Sequence, residues 1–418
     1  MTNEELFERA QRVIPGGVNS PVRAFKSVGG TPYFVARAEG AHVWDVEGKR
    51  RIDLVQSYGA IIAGHAHPVI VEAVQKAAVD GTSYGAPTER EVLLAEAVCE
   101  RVPSVEMVRL VSSGTEATMS VVRVARGHTG RRTIVKFAGN YHGHGDLLLA
   151  EGGSGLAALG LPGSAGVTEG AVADTIIAPY NVVPTLDDST ACVIVEPIAA
   201  NMGLIPPADG FLKGLRAECD RVGALLIFDE VITGFRVAYG GEQSRCGVTP
   251  DLSTFGKVIG GGLNIGAYGG RADVMQQVAP LGPVYQAGTL SGNPLATAAG
   301  LAALSLLDRT AHASLTATAE RLAAHLRDAF AAAGVPAVVT QEASLVGLHL
   351  GAEAPVDYDS ARSTDVARYA AFFHAMLERG VALAPGAYEV MFPGLAHTDA
   401  IIDEIGAAAH AAAATLTE

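Results

Sequence analysis

Two charged residues stand beside strand-like segments, in apolar surroundings that are typical of reactive groups and less typical of surface charges. The run ALLIFDEV is an apolar segment that ends in acidic residues, so Asp229 falls at the carboxyl edge of a predicted sheet, where α/β sheets bind ligands. Further along, Lys257 is a lone lysine between glycines in the otherwise apolar run STFGKVIGGG. If this lysine is buried it loses hydration, its pKa falls, and its amine becomes a nucleophile for an aldehyde.

A carboxylate and a lysine of this kind together indicate a cofactor, pyridoxal 5′-phosphate (PLP). A PLP site needs a lysine that holds the aldehyde as a Schiff base and a carboxylate that keeps the pyridine nitrogen protonated. The pair therefore predicts a PLP-dependent enzyme built on Lys257 and Asp229. Alone, each residue has an ordinary alternative, since Asp229 suits the cap of a following turn and Lys257 suits a surface position before a flexible loop.

Three consecutive residues suit the cofactor's phosphate. Ser113, Gly114 and Thr115 follow an apolar strand and open a helical pattern, so the N–H groups and hydroxyls there would hold a dianion. Serine and threonine are also ordinary helix caps, which is the alternative. Tyr141 and His142 follow the next predicted strand at the same edge and offer a flat face for an aromatic cofactor, with a core or loop role as the alternative.

Two histidine runs resemble metal sites. His142 and His144 form one run, and His65 and His67 form the other. Because neither run has a partner cluster at metal-ligand spacing, the sequence predicts no metal.

The elements that must position these residues follow an α/β rhythm. Helical patterns alternate with short apolar runs from about residue 68 to about residue 305, as in a mainly parallel sheet. We therefore predict three parts, which are an N-terminal segment with short antiparallel strands (1–67), a large domain (68–305) and a smaller C-terminal α+β domain (306–418). The clearest buried strands are predicted at 107–111, 133–137, 191–195 and 224–228.

Composition narrows the function classes. The chain of 418 residues carries a formal net charge of -14 without a run of lysines and arginines, which disfavours a nucleic-acid surface. No stretch is long and apolar enough for a membrane span, and the four cysteines form no C-x-x-C pair. These features predict a cytoplasmic protein that acts on a small molecule.

With these residues in hand, the chain resembles the class III aminotransferases, a group of fold-type I PLP enzymes, over nearly its whole length. The matching segments are PGGVNSPVRAF (15–25), GHAHP (64–68), GTSYGAP (81–87), EMVRLVSSGTEA (106–117), NYHGH (140–144), VEPIAAN (195–201), DEVITGFR (229–236), GVTPDLSTFGKVIGGG (247–262) and YQAGTLSGNPLA (285–296). The resemblance implies a large domain with a mainly parallel seven-stranded sheet and a smaller α+β domain.

The resemblance also implies a role for each matched position. Lys257 would form the imine, Asp229 would pair with the pyridine nitrogen, and Tyr141 would stack on the ring. The other cofactor contacts would be Ser113, Gly114, Thr115, His142, Asn201, Val231 and, from the neighbouring subunit of a homodimer, Thr289. The substrate contacts would be Ser20, Arg23, Ser154 and Glu389.

The reaction implied is an intramolecular amino exchange that converts glutamate 1-semialdehyde to 5-aminolevulinate, the tetrapyrrole precursor, with the cofactor alternating between PLP and pyridoxamine 5′-phosphate (PMP). The glycine-rich segment 152–166 would act as a lid over it. The resemblance further implies an association with glutamyl-tRNA reductase.

Some positions depart from the pattern of the family. Tyr58 stands where the family usually carries a tryptophan near the cofactor, Ile198 and Ala200 stand where valine and glycine are usual, and Asn264 stands where proline is common. Two rival readings stay open, an intermolecular ω-aminotransferase with a separate amino donor and a non-catalytic PLP-binding module. The second has little support, because no basic helix-turn-helix segment precedes the domain.

Overall fold

The computed structural model describes residues 1–150 and 163–417. The strands there are β1 Val35–Glu39, β2 His42–Asp45, β3 Arg50–Asp53, β4 Met107–Val111, β5 Thr133–Phe137, β6 Thr175–Ala178, β7 Thr190–Val195, β8 Leu225–Asp229, β9 Leu252–Phe255, β10 Gly266–Gly270, β11 Val338–Glu342, β12 Leu345–His349, β13 Val381–Ala382 and β14 Val390–Met391. The α-helices there are α1 Asn3–Gln11, α2 Pro68–Asp80, α3 Glu89–Arg101, α4 Gly114–Thr129, α5 Glu169–Val172, α6 Phe211–Val222, α7 Gln243–Cys246, α8 Ala272–Met275, α9 Pro294–Ser305, α10 Arg309–Ala333, α11 Tyr358–Ala361, α12 Val366–Glu378 and α13 Asp399–Ala414.

A seven-stranded sheet forms the centre of the molecule, in the order β4-β10-β9-β8-β7-β5-β6. Only β10 runs antiparallel to its neighbours, so the other six strands point the same way. The mainly parallel sheet is therefore confirmed, and β4 and β5 have the predicted bounds. Strands β6, β9 and β10 were not among the predicted buried strands.

Strand β10 has the sequence GAYGG, which is poor in strand-forming residues, and close packing explains it. A Cβ at Gly266 would collide with the carbonyl of Ser113, and one at Gly270 would collide with the carbonyl of Asp251. Glycine lets backbones approach where a side chain could not fit. The strand thus lies directly beside the start of α4.

Helix α4 begins at the edge of this sheet. Its N-cap is Ser113, whose hydroxyl accepts a hydrogen bond from the N–H of Glu116 at 3.1 Å. The helix ends at Gly130, whose φ of 68° lies in the left-handed region that glycine adopts without strain. Since β4 ends at Val111, the positive end of the helix dipole faces the carboxyl edge of the sheet.

The N-terminal segment packs on the C-terminal part of the chain. Strand β13 pairs in parallel with β3 and so completes a sheet of order β1-β2-β3-β13. The Phe25 ring meets the Phe373 ring edge to face, with centroids 5.1 Å apart, and the Ser27 hydroxyl donates to the Pro385 carbonyl at 2.7 Å. Residues that closely follow Arg23 are therefore held by the C-terminal part.

The C-terminal part has its own core. Helices α10, α12 and α13 bury a continuous apolar cluster together with β12. A third sheet, of order β11-β12-β14, includes the same β12. In the part of the chain that the structure describes, no helix has both the length and the apolar character needed to cross a membrane.

Candidate active site

The functional side chains gather where parallel strands end. Strands β5, β7, β8 and β9 share one direction, so their carboxyl ends lie along one edge of the sheet. Tyr141 and His142 follow β5, Glu196 follows β7, Asp229 closes β8, and Lys257 follows β9. The topology therefore brings together residues that lie far apart in the sequence.

The Asp229 carboxylate is buried and held from three sides. One oxygen accepts hydrogen bonds from the Thr254 hydroxyl and the Val231 N–H, both at 3.0 Å, and the other oxygen lies 2.7 Å from Nδ1 of His142. A carboxylate offers about four acceptor positions. Three of them are used, and the fourth suits an N–H donor such as a protonated pyridine nitrogen.

His142 serves this carboxylate. The ring is 1% exposed, and burial lowers the pKa of the imidazole even though Asp229 favours its charged form. The neutral ring donates from Nδ1 to Asp229, and Nε2 has no hydrogen-bond partner within the described residues. His142 thus fixes the direction of the carboxylate, in keeping with its predicted place at the cofactor.

Lys257 is a buried amine at the edge of the same site. Burial lowers the pKa of Lys257 to about 8, against the charges of Glu389 and Glu196. Its Nζ donates to the Tyr58 carbonyl at 2.8 Å. A lower pKa increases the neutral fraction of the amine, which is the form that adds to an aldehyde.

The start of α4 suits the phosphate. The N–H groups of its first turn have no partner within the helix, which is the usual setting for an anion. The Thr115 hydroxyl lies 3.2 Å from Nδ1 of His144 and accepts the His144 N–H at 3.3 Å. Gly143 packs so closely on Thr115 that a Cβ would collide with its hydroxyl. The loop after β5 and the helix start therefore form one cradle.

Glycines on two sides frame Val231. A Cβ at Gly114 or at Gly256 would lie 3.3 Å from the Val231 methyl groups, which is tighter than ordinary contact. The side chain thus forms a flat apolar floor beside Asp229 and Lys257. A planar aromatic ring fits such a floor, so the residues present suit the cofactor.

A buried carboxylate links Tyr141 to Asn201. One oxygen of Glu196 accepts the Tyr141 N–H at 2.7 Å and the Asn201 amide at 3.0 Å, and the other accepts the Ala200 N–H at 2.8 Å. Burial raises the pKa of Glu196 to about 7. The Tyr141 ring remains 39% exposed, open for stacking.

Two of the predicted substrate residues, Arg23 and Glu389, act electrostatically on Tyr58. Burial raises the pKa of its hydroxyl, with the charge of Glu389 adding to the rise and the charge of Arg23 opposing it, so both lie within electrostatic range. The carbonyl of Ser20 accepts the Arg23 N–H at 3.1 Å. Ser154 and most of the predicted lid lie outside the described residues.

One predicted site residue stands apart. Thr289 is exposed in the loop that precedes α9. Its predicted contact is with the phosphate of a neighbouring subunit, and it stays a prediction.

Four residues that shape the site had no predicted role. They are Glu196, Tyr58, Thr254 and Arg236, the last of which donates to the carbonyl of Gly59 beside Tyr58. Glu196 had a usable signal, since it is an acid directly after a buried strand, as Asp229 is. Thr254 and the Tyr58 carbonyl act through contacts that no local pattern announces.

Within residues 1–150 and 163–417, no three His, Cys, Asp or Glu side chains lie close enough together to hold a metal ion. The histidines of the NYHGH run have other contacts instead, His142 with Asp229 and His144 with Thr115.

The sheet order, the lysine with its carboxylate partner and the helix start define the fold-type I class of PLP-dependent enzymes. The chain belongs to the class III aminotransferase family, whose model matches residues 25–412. It is 54% identical over 409 residues to glutamate-1-semialdehyde 2,1-aminomutase of Laribacter hongkongensis (strain HLHK9), covering 96% of each chain.

Two solved structures are similar along almost the full chain. An omega-transaminase from Sphaerobacter thermophilus has a TM-score of 0.89 at 35% identity, with 98% of this chain and 97% of that chain covered. A transaminase with PLP bound has a TM-score of 0.90 at 33% identity, with 100% and 99% covered.

We predict that Glu196→Gln weakens PLP binding. Glutamine keeps one acceptor oxygen and turns an NH2 toward N–H donors. The free energy of unfolding should therefore fall by about 1–3 kcal/mol. Urea unfolding and equilibrium dialysis of PLP measure the two effects. Glu218→Gln is the control, because Glu218 also accepts a main-chain N–H, from Leu186, outside the site. Equal PLP affinity in both variants would refute a role for Glu196 at the cofactor.

Proposed function

We propose that the chain converts glutamate 1-semialdehyde to 5-aminolevulinate by an intramolecular amino exchange, a step of tetrapyrrole biosynthesis. The observation that carries the proposal is the surroundings of one buried amine. Lys257 feels the charge of Glu389 and donates to the Tyr58 carbonyl, and the Tyr58 side chain feels the charges of both Glu389 and Arg23. The 54% identity with the Laribacter aminomutase over nearly the whole chain supports the same reaction.

The cofactor is PLP, or PMP when it carries the amino group. When bound, it carries an amino group and withdraws electrons from the carbon that loses a proton. Asp229 would face its pyridine nitrogen, and Val231 and Tyr141 would lie on the two faces of the ring. The phosphate would bind Ser113, Gly114 and Thr115.

Lys257 moves protons in this reaction. At a pKa of about 8 its amine is partly neutral near neutral pH, so it can accept a proton at Nζ and return it to an adjacent carbon. The Tyr58 carbonyl holds the amine within the site between transfers. Asn201, oriented by Glu196, would lie near the cofactor's phenolic oxygen.

Recognition of the substrate falls to the other side of the site. Arg23 would bind its carboxylate, because a guanidinium presents two parallel N–H donors to the two oxygens. Ser20 would add a hydroxyl, and Glu389 would face the amino end. The predicted contact of Ser154 and the lid role of 152–166 belong to the same proposal.

The nearest alternative is an ω-aminotransferase with a separate donor, which the similarity to the Sphaerobacter omega-transaminase supports. Such an enzyme would use the same Lys257 and Asp229. The two reactions differ in whether an external amine is consumed.

We further propose a homodimer that shares its active sites. Apolar side chains that a single chain leaves exposed occur on α2, on α3, in the connection between these helices and in the loop before α9. They are Val69, Val71, Val79, Tyr84, Val92, Leu93, Leu281, Tyr285 and Leu290. Gly292 lies directly on Glu91, so the loop adjoins α3. Large exposed apolar patches mark protein–protein contacts.

Three further expectations remain predictions. They are the division into parts 1–67, 68–305 and 306–418, a cytoplasmic location, and an association with glutamyl-tRNA reductase. Co-purification of the two enzymes at physiological salt would test the last.

Turnover without an amino donor tests the reaction. The PMP-loaded enzyme should convert many equivalents of glutamate 1-semialdehyde to 5-aminolevulinate with no keto acid released. Lys257→Ala should lose this activity while its unfolding curve stays close to that of the control, Lys213→Ala, at an exposed position of α6. A requirement for an added amine would identify an aminotransferase instead.

Arg23→Ala should raise KM more than it lowers kcat. A charge-assisted hydrogen bond is worth about 1.5–3 kcal/mol, so KM should rise about 10- to 100-fold. Steady-state kinetics measure it, with Arg12→Ala on the same segment as control. An unchanged KM would place the carboxylate site elsewhere.

A mixed dimer tests the contact across subunits. Thr289→Val alone should weaken PLP binding, and Lys257→Ala alone should be inactive. If Thr289 serves its partner's site, a dimer with one subunit of each variant keeps one intact site and regains turnover at limiting PLP. A mixed dimer as weak as Thr289→Val would show that the threonine serves its own site, and a monomer would refute the shared site.

A further inference from the structure

A strained turn lies beside Lys257. Gln56, Ser57 and Tyr58 have φ values of 45°, 53° and 54°, and Gly59 follows at 90°. A non-glycine residue in this left-handed region costs on the order of 1–3 kcal/mol, and such strain persists only where the surroundings fix it. Three such residues in succession therefore require strong contacts that hold the turn.

Asp53 holds the start of the turn. Its carboxylate accepts the N–H groups of Val55 at 2.9 Å and Gln56 at 3.2 Å, and it lies 2.8 Å from Nε2 of His65. The N–H groups that a left-handed turn points inward thus have acceptors.

Arg236 holds the end of the turn. Its guanidinium donates to the carbonyls of Gly59 at 3.0 Å and Ile61 at 2.9 Å, and, more weakly, to Pro393 at 3.4 Å. The side chain is fully buried, and no ion pair of the described residues includes it. Burial lowers its pKa to about 9. All hydrogen bonds of this buried cation go to main-chain carbonyls, and the guanidinium lies 5.2 Å from the centroid of the Phe392 ring. Burying a charge without a counterion costs stability, so the arginine is better explained by the carbonyls that it holds in place than by a contribution to stability.

The turn presents one carbonyl to the catalytic amine. Since the neighbouring Gly59 carbonyl is held by Arg236, the peptide that follows Tyr58 cannot rotate freely, and its oxygen faces Nζ of Lys257 at 2.8 Å. Lys257 itself has a φ of 49°. Both ends of this hydrogen bond therefore lie on backbone that would relax if it were released.

We propose that Arg236 is a positioning residue for the amino exchange, which fixes the turn so that the Tyr58 carbonyl receives the Lys257 amine whenever that amine is free. The inference rests on the proposed function for its consequence, because an amine that shuttles protons must return to one place between transfers.

The charge of Arg236 acts in the same direction. The charged groups that face Lys257 are Glu389, Glu196, Arg236 and Asp229. The three carboxylates raise the pKa of Lys257, whereas Arg236 and burial lower it. Removal of the guanidinium should therefore raise the pKa of the amine, and the neutral form that accepts a proton would require higher pH.

The test follows Lys257 directly in the PMP-loaded holoenzyme, where its amine is free. Acetic anhydride labels neutral amines, so mass spectrometry of the Lys257 peptide against pH gives the midpoint of its titration. Arg236→Met should move the midpoint upward by about one pH unit. It should also lower kcat more than it changes KM. Arg131→Met is the matched control, since Arg131 also donates to main-chain carbonyls, those of Thr190 and Val222, away from this edge.

Arg236→Lys keeps the charge but not the fork of donors. We expect its midpoint near that of the wild type with a reduced kcat, which separates the turn from the charge. The inference is overturned if Arg236→Met has the wild-type midpoint, or, should that variant not fold, if Arg236→Lys has the wild-type kcat. A lower unfolding free energy in both arginine-to-methionine variants with no change of midpoint would show a structural role alone and would also overturn it. A midpoint shift in an enzyme that needs an external donor would sustain the inference while the proposed reaction fails.

Discussion

The hydrogen bonds around the Asp229 carboxylate set the geometry on which the site depends. They come from three places, which are Thr254 on β9, His142 after β5, and the chain's own turn at Val231. A buried carboxylate is tolerated only when its oxygens are satisfied. The register of three strand ends is therefore coupled to the direction of one side chain, and the positions of Val231 and Lys257 follow from it.

A second buried carboxylate extends this arrangement. Glu196 accepts hydrogen bonds from Tyr141 and Asn201, and its charge also acts on Lys257. The amine thus feels the charges of three carboxylates and one guanidinium, and burial outweighs the carboxylates and lowers the pKa of the amine to about 8. Chemistry at neutral pH follows from packing as much as from the lysine.

The sequence predicted the parts of the site whose cause is local. An apolar run that ends in Asp229 and a lysine among glycines can be read from neighbouring residues, and so can β4 and β5, which are short, apolar and bounded. Strand β10 could not be predicted from its own sequence, since its glycines are required by close contacts with the backbones of other elements. The roles of Arg236 and Glu196 depend on partners far along the chain, and β13 is two residues whose pairing with β3 has no local pattern.

The parallel pairing of β13 with β3 has a consequence for the length of substrate that the proposed site accepts. It joins the N-terminal segment, which includes Arg23, to the C-terminal part, which includes Glu389, while Asp229 ends a strand of the central sheet and Lys257 follows another. Because these two parts of the chain pair with each other, their pairing sets the spacing between the two groups proposed to bind the ends of the substrate. A molecule of another length would be rejected by that spacing before it reached the amine.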